Sequence, residues 1–532
     1  MTIAQTSAAP SAAGATTGNE PLPFRTIADL VREHARARPA QPALIQGERA
    51  MSYGELDTMM DRIAASLQRD GIAPRDAVAV CATASIEYAA LFLGVLRAGA
   101  AVTPLAPSAT PEQLAAMVAD CGARHFFTDR GVAEALAGVP LPAAARRIAL
   151  DESAQAGESF AGWLAAGDAA PGPVDVQPDW PFNIIYSSGT TGTPKGIVQP
   201  HAMRWGQVQR AEASGYGPQT VTLLSTPLYS NTTLVVFLPT IARGGAVVLM
   251  PKFDAAGYLR LAEKHRVTHT MLVPVQYQRL MDLPEFDRFD LSSFVMKFCT
   301  SAPFHAPLKA DVLARWPGGL VEYYGMTEGG GSCMLAAHLH PDKLHTVGRP
   351  IEGHDIRLID EQGREVPQGE AGEVVGRSST MMTGYHNQPA KTAEAEWHDA
   401  EGRRYIRTGD IGRFDADGFL TLFDRRKDMI ISGGFNIYPS DLEAVMRKHP
   451  AIADVAVVGV ASRAWGETPV AFVVAAPGTT QTAEALKEWA NAQLGKTQRL
   501  SDLKLVDALP RSAIGKVLKR ELREAYAANA AA

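Results

Sequence analysis

The stretch YSSGTTGTPKG, residues 186–196, gathers three glycines, a run of Ser and Thr hydroxyls and one lysine into a short segment. Backbone N–H groups in a glycine-rich turn can converge on an anion, hydroxyls add donors and Lys195 adds charge, so the chemistry such a loop suits is phosphate binding. It is not the phosphate loop of nucleoside triphosphatases, because GxxxxGK[ST] is absent and Pro194 precedes Lys195. The apolar run FNIIY before it reads as a strand that delivers the loop. A solvated Gly/Ser/Thr linker is the plain alternative.

Four further stretches carry candidate chemistry. VEYYGMTEGGG, residues 321–331, places Tyr324 and Gly325, Thr327 and Glu328 together. A tyrosine there suits stacking on a purine, a threonine suits a phosphate, and a carboxylate suits Mg²⁺. In YIRTGDIG, Asp410 reads as a turn residue after a strand, and a carboxylate there also suits the paired hydroxyls of a ribose. DRRKDMIISGGFNIYP, residues 424–439, sets charged residues before an apolar strand and a Gly-Gly turn, and PRSAIGKVLKREL sets Lys516 just after Gly515. Taken singly, each has a bland counterpart: a core tyrosine pair, a surface ribbon, a solvated lysine.

These residues must be held by something, and the chain between them alternates helix and strand. Leu56, Met59, Ile63 and Leu67 recur at helical spacing after a strand beginning at Pro42. AVAVC is a buried strand, residues 86–98 a helix, AVTPL and HFFT strands, and TPEQ at residues 110–113 an N-cap with Pro at N1 and a capping box. Such alternation predicts α/β layers of mostly parallel strands, continuing after Tyr186 to about Glu322. Residues 348–424 change to short strands with Gly-rich turns, a β-rich subdomain. The last 108 or so residues form a small α+β unit, in which SDLE, residues 440–443, is expected to open a helix with a capping box and Leu486, Trp489 and Ala490 mark an amphipathic helix.

A chain of 532 residues is expected to hold more than one domain. With 46% hydrophobic and 20% charged residues it has a globular composition, and a net charge of −6 gives no case for nucleic-acid binding. No apolar run reaches the roughly 18 residues of a membrane span. Cys81, Cys121, Cys299 and Cys333 form no CxxC pair, which disfavours structural zinc and a disulfide framework. The first residues, to about 25, read as a disordered leader, and the chain reads as cytoplasmic.

As an ordered set, the motifs resemble the adenylate-forming (AMP-binding) superfamily of acyl-CoA synthetases, peptide-synthetase adenylation domains and luciferases, over about residues 26–526. The resemblance implies a layered adenylation domain (26–424), a hinge (425–427) and a mobile C-terminal domain (428–532). It implies ATP, Mg²⁺ and coenzyme A as cofactor and co-substrates, and a small-molecule carboxylic acid as partner. It assigns Ser187, Ser188, Gly189, Thr190, Thr191, Gly192 and Lys195 to a clamp over the β- and γ-phosphates. TSAP, with Ser301, Ala302 and Pro303, lines adenine and acyl pocket. Tyr324 stacks on adenine, Thr327 contacts the α-phosphate, Glu328 holds Mg²⁺, Asp410 and Arg425 take the ribose, and Lys427 is the hinge. Lys516 bridges the carboxylate and α-phosphate oxygens during adenylation. Gly433, Gly434 and Phe435 line the pantetheine tunnel after the C-terminal domain has rotated.

The acid is less legible. Ser230 stands where coumarate- and fatty-acid-type enzymes commonly carry a His, leaving Tyr229, Ser230 and Asn231 as pocket or gate candidates. No Asp follows within residues 229–239, which disfavours an α-amino acid. Gly329, Gly330 and Gly331 would leave one pocket wall without side chains, or simply serve a turn. The expected substrate is a small or medium aromatic, heteroaromatic or cyclic acid. Alternatives are a longer fatty acid, transfer to a carrier protein or amine, and a non-catalytic nucleotide-binding relative.

Overall fold

The computed structural model describes residues 23–153, 155–187, 195–425, 428–432, 435–462, 465–495, 498–512 and 515–531. Its largest element is a nine-stranded sheet whose centre is parallel. Ala246–Leu249, Val221–Leu224, His269–Leu272, Met296–Cys299 and Gly319–Met326 lie side by side, and Gly329–Ala336 returns antiparallel. These strands are short apolar runs buried along most of their length, as parallel strands covered on both faces must be.

An eight-stranded sheet is built the same way. Ala77–Cys81, Ala101–Pro104 and His125–Thr128 are parallel, Pro181–Ser187 joins them beside Val102, and Lys195–Pro200 pairs antiparallel with it. Between the two sheets pass helices Ile86–Arg97 and Asn231–Ala242, apolar on nearly every side. One continuous cluster therefore runs from Val78 and Val102 through Phe92 and Phe237 to Val247 and Leu249. Each such large side chain contributes about 1.5–3 kcal/mol by leaving water. Arg97 enters this layer only because Asp57 and Asp61 meet its guanidinium at 2.6 and 3.0 Å.

Helix starts follow local chemistry. Thr110 and Gln113 exchange the expected capping bonds at 3.2 and 3.0 Å, with Pro111 in the first turn. Met60, rather than the expected Met59, completes the buried stripe of helix Tyr53–Arg69. The SDLE capping box does not form. Pro439, whose ring fixes a helical φ, starts the helix two residues earlier, and Pro439–Met446 has Tyr438 at its N-cap in place of Ser440. Glu443 is instead buried, accepting from Val457 N at 2.9 Å and pairing with Lys519 at 3.0 Å.

Residues 355–425 contribute a five-stranded antiparallel sheet, in which Arg404–Phe414 is the long central strand. Asp410 sits within that strand, at a shift in register next to Gly409 (φ 72°), and not at a turn after it. The C-terminal residues fold around the long hairpin Ile452–Ser462/Gly466–Ala475 and have their own core of Leu442, Met446, Val455, Val473 and Leu486. Among the described residues, no helix is long and apolar enough to cross a membrane.

Candidate active site

Tyr186–Gly196 and Ser187–Lys195 are cross-strand partners, so the glycine-rich loop is the connection of a hairpin with its two ends pinned together. Ser188, Gly189, Thr190, Thr191 and Gly192 lie outside the described residues. Lys195 begins the return strand and places its ammonium over the ring of Tyr385, 4.9 Å from the centroid. The Tyr385 hydroxyl donates to Glu328 Oε1 at 2.9 Å. Burial, with the Glu328 charge adding to it, pushes that hydroxyl's pKa well up, so it stays a donor. Tyr385 thus joins Lys195 to Glu328, a role that its sequence surroundings, GYHN, did not announce.

Thr327 and Glu328 occupy the tip of another hairpin, because Met326 and Gly329 are partners across it. The tip is held on two sides: Gln199 Nε2 donates to the Thr327 carbonyl at 2.6 Å, and Met382 N to the Glu328 carbonyl at 2.8 Å. The three following glycines have φ of 77°, 77° and 105°, a left-handed backbone that favours glycine. Their side-chain space is filled, by the Thr380 carbonyl, by Ile406 and by Ile356. The expectation that Gly329, Gly330 and Gly331 open a pocket wall is therefore corrected: they let the hairpin lie against the antiparallel sheet.

Successive residues of a strand face opposite sides, and the tyrosine pair divides accordingly. Tyr324 is paired across the hairpin with Cys333 and packs against the cluster of Cys333, Leu358, Val374 and Leu420, and its hydroxyl donates to Asp410 Oδ2 at 2.8 Å. Tyr323 faces the core between the sheets, 5.9 Å from Phe298, itself stacked on Tyr216 at 6.2 Å. Asp410 and Arg425 are register partners in neighbouring strands, which brings these two sequence-distant candidates together. Gly325, next to Tyr324, is exposed.

Cys299 is in register with Leu272 and Glu322, so the TSAP turn leaves the sheet beside Tyr323 and Tyr324 at the carboxyl ends of the strands, the edge where open α/β sheets form ligand crevices. Thr300 Oγ1 donates to the Tyr323 carbonyl at 2.8 Å. Ser301 has φ 82°, unusual for a residue with a Cβ, and its hydroxyl lies 2.6 Å from that of Thr232. Ala302 and Pro303 complete the turn, Pro303 exposed. Ser230 is buried and its Oγ accepts from Thr232 N at 3.3 Å, so it caps helix Asn231–Ala242. Asn231 Oδ1 accepts from Gln199 at 3.4 Å, and Tyr229 is half-buried, its pKa raised by burial and tempered by a hydrogen bond to Ser108.

Lys516 is exposed on a tight turn, with Lys516 N bonded to Ser512 Oγ at 3.2 Å and Ser512 N to the Lys516 carbonyl at 2.8 Å. Gly515 lies against the nine-stranded sheet: a Cβ on it would stand 2.9 Å from Val275, just beyond strand His269–Leu272. The turn carrying Lys516 is thereby seated at the carboxyl-end edge that also presents TSAP. Phe435 opens strand Phe435–Ile437 opposite Ser432, while Lys427, Gly433 and Gly434 lie outside the described residues.

Among the described residues, no three His, Cys, Asp or Glu side chains gather as a metal cage. A single carboxylate, Glu328, fits Mg²⁺, which keeps most of its shell for water and substrate phosphates.

Comparison with known proteins shows the family. The AMP-binding enzyme family matches residues 31–386 and the AMP-binding enzyme C-terminal domain residues 441–516. The chain is 33% identical over 519 residues to indoleacetate–CoA ligase of Aromatoleum aromaticum, covering 94% of this chain and 98% of that protein. It is 33% identical over 518 residues to 4-coumarate–CoA ligase 5 of Oryza sativa subsp. japonica, covering 94% of each. The solved amide bond synthetase McbA of Marinactinospora thermotolerans superposes with a TM-score of 0.83 at 27% identity, covering 94% of this chain and 99% of that one. The chain belongs to the AMP-binding enzyme family, as an AMP-forming acid–CoA ligase. ATP, Mg²⁺ and CoA are the substrates and cofactor of that family.

Proposed function

We propose that this enzyme activates an aromatic or other cyclic carboxylic acid of small to medium size and transfers it to CoA. The observation that carries the reading is the division of the tyrosine pair. Tyr324 points to Asp410, the side on which adenine and ribose would lie, and Tyr323 points the other way, towards the buried rings of Phe298 and Tyr216, aromatic surroundings suited to a ring. The ring-bearing acids in the names of the two ligases support the same choice.

In this reading the acid's carboxylate oxygen attacks the α-phosphorus of ATP, the α–β bridging bond breaks and pyrophosphate leaves. No base is needed, because the acid is ionised at pH 7. The step needs aligned anions and neutralised charge. Lys195 and its loop hold the outer phosphates, Thr327 the α-phosphate, and Asp410 with Arg425 the ribose, while Glu328 holds Mg²⁺, whose charge offsets that of the phosphates. Lys516 approaches the reacting oxygens. In the second step the CoA sulfur attacks the acyl carbon, AMP departs and the thiol proton goes to solvent.

The test is a pyrophosphate-release screen over indole, cinnamic, benzoic and straight-chain acids, with and without CoA, products identified by mass. Aromatic acids giving CoA thioesters are expected. Release with long-chain acids alone would overturn the substrate class. An amine as acceptor is the second reading, favoured by one observation: Ser230 is engaged as a helix cap where a gating His would sit. Amide products formed in preference to thioesters would establish it.

A further inference from the structure

Beneath the Thr327–Glu328 tip lies a fully buried polar cluster. Arg204, on helix His201–Ala211, is 0% exposed. Its guanidinium donates to Asn183 Oδ1 at 3.0 and 3.3 Å, to Gln207 Oε1 at 3.0 Å and to Gln199 Oε1. All three partners are neutral amides, and among the described residues Arg204 forms no ion pair. Burial pushes its pKa down to about 9, which still leaves it a cation at pH 7.

Gln199, also 0% exposed, accepts a second bond from Asn183 Nδ2 at 2.9 Å and spends its own donor on the Thr327 carbonyl at 2.6 Å, with a weaker bond to Asn231 at 3.4 Å. Asn183 and Gln199 are cross-strand partners in the hairpin that carries the glycine-rich loop. One cluster therefore joins the base of that loop, the Thr327–Glu328 tip and the start of helix Asn231–Ala242.

For the fold alone, a buried cation without a counter-ion is unfavourable, and apolar side chains would serve as well. The reactants above it are anions, and a charge in a poorly solvated place acts on them strongly. An amide whose oxygen is loaded by a cation is also the better donor through its nitrogen.

We propose that Gln199 and Arg204 are positioning residues for adenylation: Gln199 pins the Thr327 carbonyl and with it Glu328, and the charge of Arg204, met among the described residues by neutral amides and the Phe182 ring but by no carboxylate, is complemented when the anionic reactants bind. This rests on the functional reading above.

The test compares Gln199→Glu, Arg204→Met and Arg204→Lys in the full chain, by melting temperature, by calorimetric Kd for MgATP, and by kcat and KM in pyrophosphate release. Gln199→Glu gives Arg204 a carboxylate yet loses the donor to Thr327. It is expected to keep or raise the melting temperature while weakening MgATP at least tenfold and lowering kcat. Arg204→Met is expected to weaken MgATP to a similar degree, and Arg204→Lys to recover to within threefold of the wild type. A folded Gln199→Glu protein with Kd and kcat within twofold of wild type overturns the proposal, as does an Arg204→Lys protein as weak as Arg204→Met. If Arg204→Met does not fold, Gln199→Glu decides alone. A wild type that binds MgATP but adenylates no acid sinks the functional reading, and the Kd comparison still judges the cluster.

Discussion

The Tyr324 hydroxyl donates to Asp410 Oδ2 at 2.8 Å, tying the turn-bearing strand of the parallel sheet to the antiparallel sheet across 86 residues of sequence. The carboxylate proposed to receive ribose hydroxyls is thus bonded to the residue proposed to stack on the base. Tyr324→Phe keeps the ring and releases the carboxylate. Loss of one hydrogen bond to a charged group is worth about 1.5–3 kcal/mol, so the KM for ATP is expected to rise about tenfold or more. A KM within twofold of wild type would show that Asp410 needs no such support.

Tyr385 offers a parallel case on the phosphate side. Tyr385→Phe retains the surface beneath Lys195 but removes the donor to Glu328. The Mg²⁺ concentration giving half-maximal pyrophosphate release is expected to increase about threefold or more, the size of a lost hydrogen bond near ~1 kcal/mol. A magnesium titration of the variant checks this, and an unchanged midpoint would remove Tyr385 from the site.

Lys516→Ala is expected to abolish acyl-adenylate formation while a preformed acyl-adenylate is still converted to thioester. Measuring both half-reactions separates the cases, since equal losses in both would contradict the assignment of Lys516 to the first.

Ser301 at φ 82° combines backbone strain with a hydroxyl contact to Thr232. Ser301→Ala loses the contact and keeps the strain, whereas Ser301→Gly loses both. The glycine variant is expected to be the more stable of the two by about 1 kcal/mol, read from their melting temperatures. The reverse order would show that the turn relaxes without cost.

His201 is 3% exposed, edge-on to Phe182 at 5.0 Å, and burial pushes its pKa down to about 4. Between its ordinary value near 6.5 and about 4, the unfolded chain takes a proton that the folded chain refuses. Stability from this residue is therefore present above pH 6.5 and lost as pH falls towards 4, by about 3 kcal/mol in all. His201→Phe should show a smaller drop in melting temperature between pH 7 and 4.5 than wild type. An identical drop would place the acid sensitivity elsewhere.

Much of this architecture was legible because short apolar runs separated by caps and glycines leave few ways to fold. AVAVC and HFFT are strands, and the TPEQ helix start forms as its residues dictate. What misled was local chemistry overridden by a neighbour: Pro439 took the helix start from Ser440, and the glycines at 329–331 answer to a sheet packed across them. Contacts made at long range left no local mark. Tyr385 reaches Glu328 across 57 residues, and Gln199 reaches Thr327 across 128, from positions whose sequence surroundings show only a strand end.

The opposed facing of Tyr323 and Tyr324 has a consequence for how such an enzyme can diverge. In the proposed reading, adjacent codons address opposite sides of one strand, so replacements at 323 and beside Phe298 and Tyr216 would retune which acid is accepted while the nucleotide side is inherited intact. A lineage built on this strand can explore new substrates without having to relearn ATP.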